Sequence, residues 1–249
     1  MVLPDPHLAL LAALAVAAAG FLRGMTGFGF ALAAVPMLSL VLPPQRAVVL
    51  VVLLQFMIGF RDIVMLRSVY DKWVLIRLIS GAIFGVLPGI YLLSILDPAA
   101  MRVAAGAIVL FALVPLIRPP KVSLPRTSGW PIGTGLVSGF LSGLAAMPAP
   151  PTVLYLMLSG TEAVRMRATL IIFFFATSAM SIPGLVLKDL VGRSDVIFAV
   201  LMLPVMVIST WAGTHAFTRL NDRGYRNAAL LTLAAMAVIA LGRGLGSML

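Results

Sequence analysis

Arg23 stands in the stretch GFLRGMTGFGFALAAVP (20–36), among residues that otherwise favour hydrocarbon. Placing a guanidinium at membrane depth costs about 2.5–3.5 kcal/mol on insertion scales, so an intramembrane arginine is a functional candidate by default. Gly20, Gly24, Gly27, Gly29 and Pro36 share the stretch with the Thr26 hydroxyl. Glycine permits sharp turns and close backbone approach. A helix interrupted there presents unpaired N–H groups and partial positive charge, a combination suited to an anion. Arg23, Gly24, Thr26, Gly27 and Gly29 are therefore the first candidate substrate contacts. A second interruption, GLAAMPAPP (143–151), adds Ser142, Gly143 and Met147. Gln55 and Thr177, in the spans that follow each break, can line the same cavity or make ordinary interhelical hydrogen bonds.

The elements that would position these residues follow from composition. Of 249 residues 61% are hydrophobic and 10% charged, too little charge to cover a soluble domain. Apolar runs near 20 residues recur, enough to cross roughly 30 Å of hydrocarbon. The chain reads as an integral membrane protein. No Lys or Arg precedes the opening apolar run, so the N-terminus is not expected to be a cleaved signal. There is no cysteine, which excludes disulfides and thiolate chemistry. The net charge of +10 fits basic cytoplasmic loops beside anionic lipid, not nucleic acid.

Six segments read as ordinary spans: 47–66, 73–96, 99–117, 168–187, 196–217 and 227–242. Residues 8–42 are too long for one span and divide into apolar pieces at 8–22 and 30–42, each about 20 Å long as a helix. Residues 130–158 repeat the pattern with a break at 143–151. The proline-rich joint RPPKVSLPRTSG (118–129) separates a first repeat, about 8–117, from a second, about 130–243, within a single transmembrane domain spanning 1–249. Gly20 and Gly24 match Gly135 and Gly139 at an offset of 115, and Gly89, Leu96 and Arg102 match Gly213, Leu220 and Arg226 at 124.

Charge selects a topology. If each broken segment crosses the membrane, the Lys and Arg outside the opening stretch divide 10 to 7 between the sides. If each returns to the side it entered, only Arg46, Arg102, Lys188, Arg193 and Arg243 fall opposite the other twelve. Cytoplasmic loops favour basic residues, so the second arrangement is expected. The predicted fold class is then an all-α polytopic membrane protein of two homologous, inverted halves. Each half has one broken, re-entrant, glycine-rich segment plus three transmembrane helices, and both termini are periplasmic. Internal repeats of this kind are common in transporters, with the site at the midplane.

The residues GFLRGMTGFGFALAAVPML (20–38), LPPQRAVVL (42–50) and the second glycine- and proline-rich break resemble the sulfite exporter TauE/SafE family, also called TSUP transporters. The resemblance covers essentially the whole chain. It implies a multi-pass protein of the bacterial inner membrane that moves sulfite, organosulfonates or related sulfur-containing or organic anions. The family's frequent glycine triplet is here Gly27-Phe28-Gly29, and GLAAMPAPP departs further. No cofactor, metal, nucleic acid or catalytic residue is expected. The partners are a small anion and lipid; a homodimer is one open oligomeric state. All eight acids fall in joints or near helix ends, which points to a facilitator or to a carrier that moves a proton with its substrate. A glycine-filter anion channel is the alternative. An intramembrane hydrolase built on Ser142 and His215 is weaker, since nothing in the sequence orients that pair.

Overall fold

The computed structural model describes residues 5–66, 70–117, 124–125 and 129–217. These form α1 (Pro6–Thr26), α2 (Phe30–Leu38), α3 (Pro44–Leu66), α4 (Lys72–Ile95), α5 (Pro98–Ile117), α6 (Trp130–Ala145), α7 (Ala149–Leu158), α8 (Ala163–Leu187) and α9 (Arg193–Phe217). Stretches of five of them, in α1, α3, α4, α8 and α9, are long and apolar enough to cross a membrane. The spans expected up to 217 are all helical, each beginning one to five residues early, and all but α5 are among those five. Each helix extends into its polar joint because local chemistry allows it. Pro44 and Pro98 occupy first-turn positions where a missing N–H is harmless, and the Asp71 carboxylate caps α4 by accepting from the Val74 amide at 3.2 Å. The expected span at 227–242 lies outside the described residues.

Both broken segments are broken inside the expected stretches, 23–29 and 143–151, with the turns narrowed to 27–29 and 146–148. The first piece is not the short 8–22 helix expected. α1 runs 21 residues, about 31 Å at 1.5 Å per residue. Gly20 and Gly24 stay helical and serve packing instead. The chain turns at Gly27 (φ 77°) and Gly29 (φ 95°), left-handed conformations that glycine adopts without penalty. α2 then ends at Leu38, short of the expected 42, and the Ser39 hydroxyl bonds back to the Val35 carbonyl at 2.6 Å. In the second region the break narrows from 143–151 to 146–148. Gly143 remains in α6, and Ala146 takes the left-handed cap at φ 57°.

Two helix couples dominate the packing, α1 with α9 and α4 with α6. A Cβ on Gly24 would press on the Thr210 carbonyl and the Thr214 amide; one on Gly143 would press on the Val86 carbonyl and the Ile90 amide. Gly213 faces the Phe21 carbonyl as Gly89 faces that of Phe140. These contacts correspond at offsets of 119 for α1 and α6 and 124 for α4 and α9. The left-handed caps Gly27 and Ala146 obey the same 119. The register is thus one helical turn beyond the 115 read from sequence. Gly135, Gly139 and Gly143 repeat every fourth residue, so spacing alone could not choose between them.

Direction follows from the same contacts. Gly20 and Gly24 meet Met206 and Thr210 in ascending order, so α1 and α9 are parallel. Asp71, just beyond α3, donates its amide to Thr169 near the start of α8, whereas Gly59, earlier in α3, lies on Phe175, further along α8. α3 and α8 are therefore antiparallel.

Glycine packing yields a direct test. Gly85 has the Leu136 carbonyl where a Cβ would go, while Gly133 faces open space. Gly85→Ala should lower stability by about 1–3 kcal/mol through overpacking, and Gly133→Ala should hold or raise it by up to about 1 kcal/mol. Thermal unfolding in detergent distinguishes them; equal effects would mean that α4 and α6 are not in close backbone contact.

Candidate functional site

The two breaks meet. Phe28, Gly29, Phe30, Ala31 and Leu32 from the first, and Met147, Pro148 and Ala149 from the second, line a tight cavity of about 10 Å³, closed by Arg23, Gln55 and Phe174, with room for about one water. Gln55, buried on α3, donates its Nε2 to the Ala146 carbonyl at 3.2 Å, tying the first half to the turn of the second. The start of α2 contributes more than shape. The amides of Phe30, Ala31 and Leu32 sit in the first turn, where a helix has no carbonyl to bond them, and the Gly29 carbonyl is already taken by the Ala33 amide. α7 offers less, because Pro150 and Pro151 have no N–H. The donors are therefore concentrated on α2.

Arg23 is the charged residue of the pocket. It is 7% exposed, and its Nη2 lies 2.5 Å from Oδ2 of Asp62 on α3. The two side chains are 9% and 14% exposed. Gln55 and Asp62 are seven residues apart, two turns along one face of α3, so a single helix touches both the second break and the arginine. Behind the first break, Arg167 of α8 donates to the Gly24 carbonyl at 3.2 Å, and its methylenes cover Gly27. Among the described residues no cluster of three or more His, Cys, Asp or Glu is positioned for a metal ion.

The family model for sulfite exporter TauE/SafE matches residues 12–240. The chain belongs to the sulfite exporter TauE/SafE family. Neither curated proteins nor solved structures give a significant match. Membership makes this a membrane transporter of the sulfur-anion class and not, at family level, an enzyme.

In this TauE/SafE chain the candidate contacts separate into two groups. Arg23, Gly29, Gln55 and Met147 line the pocket. Gly24 packs on α9 and Gly143 on α4, while Gly27 forms the left-handed cap of α1. The Thr26 hydroxyl is engaged by the backbone of its own turn, bonding the Leu22 and Phe28 carbonyls and accepting from the Phe28 amide. Ser142 is buried, and its carbonyl accepts from Ala146 at 2.8 Å. Thr177 donates to the Phe174 carbonyl at 3.1 Å. The second break has a brace of its own, the buried hydroxyl pair Ser138 and Thr152 at 2.7 Å.

Sequence reasoning missed Asp62, Phe174 and the wall of Phe28 and Phe30. Asp62 was placed near a helix end, away from the middle of any span. It does lie one turn from the end of α3, yet it reaches Arg23 across the helix interface. Its place seven residues after Gln55 was the available signal.

The two turns should respond oppositely to substitution. Gly29→Ala forces an L side chain into φ 95° and should destabilise by about 1–2 kcal/mol, whereas Ala146→Gly relieves a penalty of similar type at φ 57° and should not destabilise. Unfolding midpoints of the purified variants check this.

Proposed function

We propose that this protein carries sulfite, sulfonates or related small organic anions across the membrane, one at a time, by alternating access around the pocket between the two breaks. The observation that carries the reading is the convergence of Arg23 and the three unbonded α2 amides on one small pocket. Together they match the oxygens of a compact oxyanion, because the guanidinium fork suits planar or bidentate recognition and the helix start favours negative charge. Gln55 supplies a further polar edge, and Met147 and Phe174 the apolar wall. Gly24, Thr26, Gly27, Ser142, Gly143 and Thr177 hold the shape around it. The cavity of about 10 Å³ must widen to admit the anion, as alternating access requires.

The surrounding architecture in this reading is two inverted halves, about 8–117 and 130–243, in a bacterial inner membrane. Their broken segments return to the side they entered, and both termini are periplasmic. The helix directions support it. A crossing α6–α7 segment would make α8 run parallel to α3; with that segment re-entrant, a crossing α1–α2 would make α1 antiparallel to α9. The excess of basic residues supports a cytoplasmic side for the joints after α3 and α5. Because the chain has no native cysteine, single cysteines report cleanly. Pro98→Cys and Lys188→Cys should both label from the periplasm and Tyr70→Cys from the cytoplasm. Positions 98 and 188 on opposite sides would refute the arrangement.

The function is tested by anion flux into proteoliposomes. The parent should take up sulfite or a sulfonate saturably. The double variant Arg23→Ala/Asp62→Asn removes both charges and leaves none orphaned; it should weaken apparent affinity about ten- to a hundredfold, the worth of a hydrogen bond to a charged group. Unchanged affinity would make the arginine structural.

A further inference from the structure

We propose that Asp62 is a proton carrier and that each anion crosses together with one proton. The proposal rests on the anion-pocket reading above and adds the coupling ion. Arg23 stands between two claimants. It lines the pocket, yet its Nη2 is engaged by Asp62 at 2.5 Å. While Asp62 is ionised, its carboxylate cancels the charge an incoming anion would seek. A bound anion would then leave two negative groups on one guanidinium in a poorly hydrated interior, where like charges repel strongly. A proton on Asp62 removes that conflict. The carboxyl becomes neutral, Arg23 is released to the pocket, and guanidinium and anion balance.

The surroundings leave Asp62 as the group to take that proton. Arg23 is the pocket's charged residue. Arg167 approaches from α8, donating to the Gly24 carbonyl. Arg61, beside Asp62 on α3, is exposed. On α9, packed against α1, the His215 ring is exposed and lies against Trp211. The arginines keep their protons. Proton and charge then balance simply: one proton binds Asp62 as one anion binds Arg23, and both leave on the other side. For a monoanion the cycle moves no net charge.

By linkage, anion binding that takes up one proton weakens as pH rises. Affinity is greatest where Asp62 is already protonated and falls about tenfold per pH unit once it is ionised in the empty protein. The probe must not titrate itself, so methanesulfonate, ionised throughout, is used in place of sulfite. Proteoliposomes containing the parent and an internal pH dye, given an inward methanesulfonate gradient, should acidify inside at one proton per anion. An imposed inward proton gradient should accelerate uptake. Asp62→Asn, which mimics the neutral acid, should still exchange methanesulfonate at a reduced rate, with no proton movement and with a flattened pH dependence. Asp62→Glu should restore both. In detergent, methanesulfonate should raise the unfolding midpoint of Asp62→Asn more than that of the parent at neutral pH, because only the variant has an uncompensated Arg23. A merely structural acid would give none of these changes in proton movement. Methanesulfonate flux without internal acidification in the parent would overturn the coupling and leave the transport reading intact. Absence of flux for both methanesulfonate and sulfite would overturn both.

Discussion

A backbone that leaves its helix inside hydrocarbon must find partners for its N–H and C=O groups, because lipid supplies none. In the proposed arrangement the protein meets this constraint twice, at residues 27–29 and 146–148, and much of its architecture answers it. The turns are satisfied locally by the Thr26 hydroxyl and by the Ala146 amide on the Ser142 carbonyl, and across the molecule by Gln55 on the Ala146 carbonyl. What remains is the first turn of α2, whose residues Phe30, Ala31 and Leu32 line the pocket and have no intrahelical carbonyl for their amides. Holding those amides in place falls to the glycine-lined couples. α1 is locked on α9 and α6 on α4 through contacts so close that a single Cβ would meet backbone.

The two breaks have corresponding helix contacts but not a common chemistry. The first break contributes the arginine and the free amides. The second has prolines where further amides would be, and a hydroxyl pair, Ser138 with Thr152, where the 119-residue correspondence puts Ala19 and Ala33. A ligand bound as proposed would be held mainly by the first break and walled by the second. That is the kind of asymmetry a carrier can use if one half moves against the other. The Arg23–Asp62 pair adds a second constraint. A buried ion pair contributes little net stability, and removing either partner alone is costly, so its place beside the pocket is explained better by exchange of partners than by fold maintenance.

Much of this was legible in the sequence. Low charge and recurring apolar runs specified the helical membrane class, and the excess of glycine and proline located both interruptions within a few residues. Arg23 was conspicuous because a charge in that setting is costly. Less legible was which glycine does what. Gly24 keeps the four-residue spacing from Gly20 that suits a helix interface and Gly27 does not, but that Gly27 takes the left-handed turn is seen only in the structure. The four-residue glycine series in α6 likewise left open, by one turn, which of its glycines corresponds to Gly24. Asp62 was overlooked because its position near a helix end suggested solvent, while its partner comes from a helix 39 residues earlier. Pairings across helices leave almost no local trace.

The central claim is that the anion sits between Arg23 and the start of α2, and locating a heavy-atom anion tests it most directly. Crystals of the protein grown with 2-bromoethanesulfonate should show the bromine's anomalous signal in the pocket bounded by Gly29, Gln55, Met147 and Phe174, with the sulfonate toward Arg23. A single, well-occupied signal elsewhere, with this pocket empty, would contradict the account.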